Sequence, residues 1–207
     1  MQIIPDQSFQ GIKALIRVDF NVPLNEQLEV IDNTRIMAAL PTIKQILNNG
    51  GSVVLMSHLG RPKGVKSAKY SLKNIVPEVS KALGIPVKFI DDCIGSAVET
   101  AVSHLNDGEV LLLENLRFYP EEKKGDLNFA LQLAKLGCDI YINNAFGTAH
   151  RAHASTYTIA QFFATNKRFF GFLMASEIAN AQKVLLKPES PFTAILGGAK
   201  VSDKIML

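Results

Sequence analysis

The stretch Ala14-Leu15-Ile16-Arg17-Val18-Asp19-Phe20-Asn21 decides how the rest of the chain is read. It opens as an apolar run, Ala14–Val18, and breaks off in Asp and Asn, residues that favour turns. A short run of this kind, with little polar alternation, reads as a strand buried on both faces, as in a parallel sheet covered by helices. Four further runs share the character: Ser52–Met56, Val87–Ile90, Val110–Leu113 and Ile140–Ile142.

Helical patterns fill the gaps between them. One starts near Asn33 or Thr34, both good N-caps, and carries Ile36, Ala39/Leu40, Ile43 and Ile46/Leu47 at a 3.6-residue spacing. Asn49-Gly50-Gly51 ends it, and Pro41 is expected to kink or split it. A second follows Ser71 with Leu72, Ile75/Val76, Val79 and Ala82/Leu83, stopping at Gly84. Others are expected over Ser96–His104, Leu127–Leu136 and about Leu173–Leu186. Strand–helix–strand repetition predicts an α/β fold of three αβα layers around an open, doubly wound, mainly parallel, Rossmann-like sheet.

Pro188 and Pro191 read as a linker, after which Thr193–Leu196 looks like a new buried strand. One strand and the turn of helix after it cannot bury their own apolar faces. The expected organisation is a ligand-binding domain over 1–172, a hinge helix and linker over 173–191, and over 192–207 the truncated start of a second α/β domain.

The 207 residues are 47% hydrophobic and 20% charged, and 22 Lys+Arg against 19 Asp+Glu leave a net charge of +3. That balance excludes a disordered chain and lacks the concentrated basic stripe of a nucleic-acid binder. Cys93 and Cys138 stand far apart with no Cys-x-x-Cys pair, which argues against zinc and suits a reducing cytosol. The start, MQIIPDQSFQ, is not a signal peptide, and no apolar run approaches the ~20 residues of a membrane span. The expectation is a soluble, cytoplasmic monomer.

In open α/β sheets ligands bind beyond the carboxyl ends of the strands. There the sequence places Asp19-Phe20-Asn21, Ser57-His58-Leu59-Gly60-Arg61-Pro62, Glu114-Asn115-Leu116-Arg117-Phe118 and Asn143 through His153, with Arg35 opening the first helix. Only six arginines occur, and four of them, Arg35, Arg61, Arg117 and Arg151, fall on this edge. A guanidinium is a planar fork of donors matched to carboxylate and phosphate oxygens. Four forks imply a small ligand of several negative charges, such as a phosphate ester of about −1.5 to −2 that also carries a carboxylate. Asp19 and Asn21 could bind a hydroxyl. A lone surface arginine is usually solvated, but four at functional strand ends make that reading a poor one. His150 and His153 could share a helix face, yet no third ligand lies near, so no metal site is expected. Gly197-Gly198-Ala199-Lys200-Val201-Ser202-Asp203-Lys204 lacks the Walker A pattern, and its glycines suit either a phosphate cradle or a plain tight turn.

Taken in order, Arg17–Pro23, Thr34-Arg35-Ile36, Ser57–Pro62, Glu114–Phe118, Ala145–His153 and Gly197–Lys204 resemble the phosphoglycerate kinase family over essentially the whole chain. The resemblance implies transfer of a phosphoryl group between ATP and 3-phosphoglycerate, giving ADP and 1,3-bisphosphoglycerate, with Mg2+ carried on the nucleotide. It implies that Asp19, Phe20, Asn21, Arg35, His58, Leu59, Gly60, Arg61, Arg117 and Arg151 bind 3-phosphoglycerate. Gly198, Lys200 and Lys204 would face the nucleotide, with Arg35 and Lys200 supporting the group in transit. The acceptor is a carboxylate, ionised at neutral pH, so no general base is needed, and catalysis would rest on alignment and placed cations. The sequence departs from the family pattern at Asn33 and Asn144, where Asp is usual, and in lacking most of the nucleotide lobe. Two further readings are a non-catalytic binding module for a small phosphorylated carboxylic acid, and a structural or nucleic-acid role that no sequence feature favours.

Overall fold

The apolar runs become neighbouring strands of one sheet in a computed structural model that describes residues 2–186, 190, 191 and 193. In chain order the elements are β1 (Gln2–Ile3), β2 (Lys13–Val18), α1 (Thr34–Asn48), β3 (Ser52–Met56), α2 (Val76–Leu83), β4 (Val87–Phe89), α3 (Ser96–Ser103), β5 (Val110–Leu112), α4 (Pro120–Lys124), α5 (Leu127–Ala134), β6 (Ile140–Asn144), β7 (Arg168–Phe170) and α6 (Phe172–Leu186). The seven strands lie in the order β1-β7-β6-β2-β3-β5-β4, and every pairing is parallel.

Strand β2 holds the centre, with Arg17 opposite Met56 of β3 on one side and Asn143 of β6 on the other. Its alternate residues feed two cores. Ala14, Ile16 and Val18 pack with Ile36, Ile43 and Ile46 of α1 and Val79 of α2. Leu15 points the other way, among Val98 and Val102 of α3, Phe129 and Leu133 of α5, and Tyr141. The three-layer αβα architecture follows, since each fully buried Leu, Ile or Val contributes about 1.5–3 kcal/mol only if both faces are covered.

Two short strands, the edge strand β1 and its neighbour β7, escape the pattern of apolar runs. They are two and three residues long and carry Gln2 and Arg168, too short and mixed for periodicity to mark them. Pro41 does not split α1, which runs unbroken through it. The carbonyl that loses its donor belongs to Met37, on an exposed turn where water can bond it. Asn33 does not cap α1 with its side chain. Asp32 does so instead, its Oδ1 accepting from the Thr34 amide at 2.8 Å and hydroxyl at 2.6 Å, while Asn33 Nδ2 donates to Glu78 Oε1 at 2.6 Å. The helix expected from Ser71 begins as a 3-10 turn, Leu72–Ile75, before α2.

The chain divides into two compact units, Met1–Ala175 and Ser176–Leu207. The first contains the sheet and both cores. Of the second, only the remainder of α6 and residues 190, 191 and 193 are described. Pro188 and the segment Gly197–Lys204, with Gly198, Lys200 and Lys204, lie outside the described residues, as does all of the expected strand Thr193–Leu196 except Thr193. No described helix is long and apolar enough to cross a membrane. Both thiols are free, and burial pushes Cys93 well up and Cys138 up to about 12.

Candidate functional site: a four-arginine cleft at the strand ends

Strand order reverses direction at β2: the chain leaves it for β3 on one side and later returns to lay β6 on the other. The loops after these strands diverge at such a switch point and leave a crevice. Here the crevice is a cleft of about 240 Å³ lined by Asp19, Asn21, Arg35, His58, Gly60, Arg61, Arg117, Gly147, Thr148, His150 and Arg151. The four arginines singled out in the sequence therefore share one cavity, although they come from α1 and from the loops after β3, β5 and β6.

Local hydrogen bonds shape the walls. Asn21 Oδ1 accepts from the Gly60 amide at 2.8 Å, tying the loop after β2 to the loop after β3. Ser57 Oγ accepts from the Phe20 amide at 2.9 Å. Asn115, fully buried, accepts from the amides of Leu59 (3.2 Å) and Arg117 (3.0 Å) and donates to the carbonyls of Leu59 and Tyr70, both at 2.8 Å. Glu114 accepts from the Ser71 hydroxyl at 2.6 Å and the Leu72 amide at 2.8 Å. Gly60 adopts φ +62, and a Cβ there would lie 2.5 Å from the Tyr70 ring, so this tight approach requires glycine.

Three of the four guanidinium groups lack a carboxylate partner among the described residues. Arg35 pairs with Asp19. Arg117 Nη1 donates to the Gly60 carbonyl at 2.9 Å, and its buried Nε has no partner. Arg151 Nε donates to His150 Nε2 at 3.0 Å, and Arg61 has no hydrogen bond or ion pair among the described residues. The cleft thus sets four cations against one carboxylate, Asp19, a surplus that only an anion can neutralise. The crowding registers on its members. Burial, then the Arg17 and Arg151 cations, lower the pKa of Arg117. Burial, then Arg17 and Arg117, hold His58 down at about 2, so its ring is neutral at any physiological pH.

Beneath the cleft lies a buried charge network. Arg17 is fully buried, and its Nε donates to Ser155 Oγ at 2.8 Å, its Nη1 to the Val18 carbonyl and its Nη2 to His58 Nδ1 at 3.2 Å. Ser155 in turn donates from its hydroxyl to Glu122 Oε1 at 2.6 Å and from its amide to Oε2 at 2.9 Å. His153 sits beside this carboxylate, its Nδ1 3.9 Å from Oε1. Burial, then Arg117 and Arg17, depress the His153 pKa to about 4.

Of the expected site residues, Asp19, Asn21, Arg35, His58, Gly60, Arg61, Arg117 and Arg151 line the cleft. Phe20 and Leu59 do not: their side chains are buried in the core, and they hold the neighbouring polar residues in place from below. His150 and His153 share no helix face, since one lines the cleft and the other is buried beside Glu122. Among the described residues no group of three or more His, Cys, Asp or Glu could hold a metal ion. Gly147 and Thr148 join the lining without having been singled out, as does His150, which had been weighed only as a metal ligand, and Gly147 is packed so closely that a Cβ there would lie 2.7 Å from Asp19 Oδ2. Arg17 and Glu122 were missed. The available signal was an arginine inside an otherwise apolar strand, which must find buried acceptors.

Fold and site together define a doubly wound α/β protein whose strand-end crevice gathers guanidinium groups around a small polyanion-sized space. A family model described as phosphoglycerate kinase matches residues 4–207, and the chain belongs to that family. Curated phosphoglycerate kinases from Chlorobium phaeovibrioides (52% identical, 98% of this chain, 50% of the relative) and Borrelia duttonii (53% identical, 99% and 51%) are similar to it. The crystal structure of phosphoglycerate kinase from Pyrococcus horikoshii OT3 superposes with a TM-score of 0.86 at 33% identity, covering 98% of this chain and 50% of that one. The phosphoglycerate kinase structure from Coxiella burnetii gives a TM-score of 0.81 at 33% identity, over 98% and 49%. The chain spans about half the length of the curated relatives it matches.

Proposed function

We propose that this chain supplies the 3-phosphoglycerate-binding lobe of a phosphoglycerate kinase, with Asp19, Asn21, Arg35, His58, Arg61, Arg117 and Arg151 as the substrate-binding set. The observation that carries the reading is the convergence of four guanidinium groups on one cleft with a single carboxylate among them. A phosphorylated hydroxy acid supplies the missing charge, and its carboxylate and phosphate match the donor forks of arginine. Asp19 and Asn21, acceptors on the same wall, suit its hydroxyl. A doubly negative phosphate alone would leave part of the cationic surplus unmatched.

The reaction that fits is transfer of the γ-phosphoryl group of ATP to a carboxylate oxygen. A new oxygen–phosphorus bond forms as the bond to the ADP oxygen breaks, and the reverse reaction regenerates ATP. The attacking oxygen carries no proton at neutral pH, so this chain need provide no base. Its part is to fix the acceptor and to hold cationic charge near the transferring group, a role we assign to Arg35, half-exposed at the start of α1. Mg2+ belongs to the nucleotide as substrate. The cleft offers it only Asp19, already paired with Arg35, so its ligands would come with the nucleotide. Gly198, Lys200 and Lys204 are the proposed contacts on the nucleotide side. The proposed organisation keeps residues 1–172 as the substrate domain, 173–191 as hinge helix and linker, and 192–207 as the first segment of the nucleotide domain, in a soluble, cytoplasmic monomer.

Calorimetric titration of this chain with 3-phosphoglycerate tests the proposal. Charged hydrogen bonds contribute about 1.5–3 kcal/mol each, so Arg61→Ala and Arg151→Ala are each expected to weaken binding roughly 10–100-fold. Unchanged affinity in both variants would refute the assignment. A coupled assay of the same chain is expected to show binding without turnover.

A further inference from the structure

The cleft contains a histidine whose protonation state is dictated from behind, and this is a property of residues the ligand never meets. The His58 ring is 3% exposed. Its Nδ1 faces Arg17 Nη2 at 3.2 Å. A guanidinium nitrogen has protons to give and no lone pair to accept with, so Nδ1 must be the acceptor of this bond and carries no hydrogen. The ring proton then belongs on Nε2, the nitrogen with no protein partner among the described residues, on a ring that lines the cleft.

The donor side of the bond is equally constrained. Arg17 does not line the cleft and is fully buried. Its three bonds run to Ser155 Oγ, the Val18 carbonyl and His58 Nδ1, which fixes the guanidinium plane. Ser155 spends its own proton on Glu122 Oε1, so its oxygen is free to accept from Arg17. A chain of bonds therefore leads from a buried carboxylate, through a hydroxyl and a guanidinium, to an imidazole.

We propose that Arg17 is a positioning residue of the cleft: held by Ser155 and Glu122, it locks His58 as the neutral Nε2–H tautomer and aims that single donor at an anionic oxygen of the ligand. This role rests on the substrate-binding reading above for the identity of the ligand, though not for the tautomer. Charged groups facing the ring reinforce neutrality from several elements: Arg17 of β2, Arg117 after β5 and Arg35 of α1 all disfavour a second proton, and His153 after β6 would do the same once protonated. A neutral donor also makes binding indifferent to this histidine across physiological pH, where an unconstrained imidazole would change charge.

The test is long-range proton–nitrogen NMR of the histidine side chains in the full 207-residue chain. His58 is expected to show an unprotonated Nδ1 and a protonated Nε2, unchanged between pH 8 and pH 5. An Nδ1–H tautomer, or a ring that titrates in that range, overturns the proposal, and this readout needs no variant. Arg17→Lys keeps a cation but cannot hold three acceptors in one plane. It is expected to give His58 mixed tautomers and to weaken 3-phosphoglycerate about 5–20-fold, while Ser155→Ala produces a smaller change of the same kind. His58→Gln, which keeps a donor at the reach of Nε2, should retain affinity within a few-fold, whereas His58→Asn should not. A locked tautomer with an Nε2–H resonance unmoved by saturating 3-phosphoglycerate would refute the donor's role in binding while leaving the Arg17 lock in place. A moved resonance on an unlocked ring would do the reverse.

Discussion

Glu122→Gln removes one charge from the interior and almost nothing else. Glu122 is 1% exposed and meets Arg17 through the Ser155 hydroxyl. The amide has the same shape, but one of its ends is a donor. Turned toward the Ser155 amide, that end opposes another donor. Turned toward Ser155 Oγ, it leaves the hydroxyl proton without an acceptor, because the oxygen then receives both Arg17 Nε and the new amide. Either way the Arg17 cation keeps its burial and loses its counter-charge. Removing one partner of a buried ion pair costs about 3–5 kcal/mol. The hydroxyl bridge between the charges places this case toward the lower end, about 3 kcal/mol. For a unit of this size each kcal/mol lowers Tm by roughly 2–4 °C, so the expected fall is about 6–12 °C. Urea unfolding followed by far-ultraviolet circular dichroism measures the same quantity, with the m-value confirming that the surface exposed is unchanged. The exposed Glu99→Gln serves as the control and should stay within about 0.5 kcal/mol. A Glu122→Gln loss below about 1 kcal/mol at constant m would show that Arg17 is compensated by some other route, and the account of the buried network would fail.

Other expectations concern the cleft and the histidines. Gly147→Ala pushes a methyl group to within 2.7 Å of Asp19 Oδ2, which must displace the Asp19–Arg35 pair. Titration should show 3-phosphoglycerate bound about tenfold more weakly with a change in stability near 1 kcal/mol, and unaltered binding would show that the pair can shift freely. His58 and His153 are both neutral in the fold, with pKa values depressed from 6.5 to about 2 and about 4. Below pH 6.5 the unfolded chain therefore binds more protons than the fold, and stability falls as pH drops. From pH 7 to pH 5 each ring removes about 2 kcal/mol, and urea midpoints unchanged over that interval would contradict both assignments.

The parts of this fold that were legible in the sequence are those where one residue's surroundings are set by its neighbours in the chain. Five of the strands announce themselves by short apolar runs, which in β2, β3, β5 and β6 answer burial on both faces of the sheet. The helices announce themselves because one face alone is buried. The short strands β1 and β7 carry no such demand, and their pairing is a matter of tertiary placement. The same division runs through the site. Four arginines at strand ends were visible because the sheet topology fixes where strand ends go. The packing of Phe20 and Leu59 into the core was not, since a residue inside a polar motif gives no sign of which way it faces. Nor was the Arg17–Ser155–Glu122 relay, whose members are brought together from β2, the loop after β6 and α4 by contacts that leave no periodic trace.

The pairing of β1 with β7 has a consequence for how the first unit could be rebuilt. Gln2 and Ile3 lie beside Phe169 and Phe170, so the polypeptide enters and leaves the sheet along the same border. The backbone path is close to a ring. Splicing its two ends through a short peptide and opening it elsewhere, for instance at the exposed Asn106-Asp107 bend before β5, would yield a circular permutant whose cleft loops remain intact.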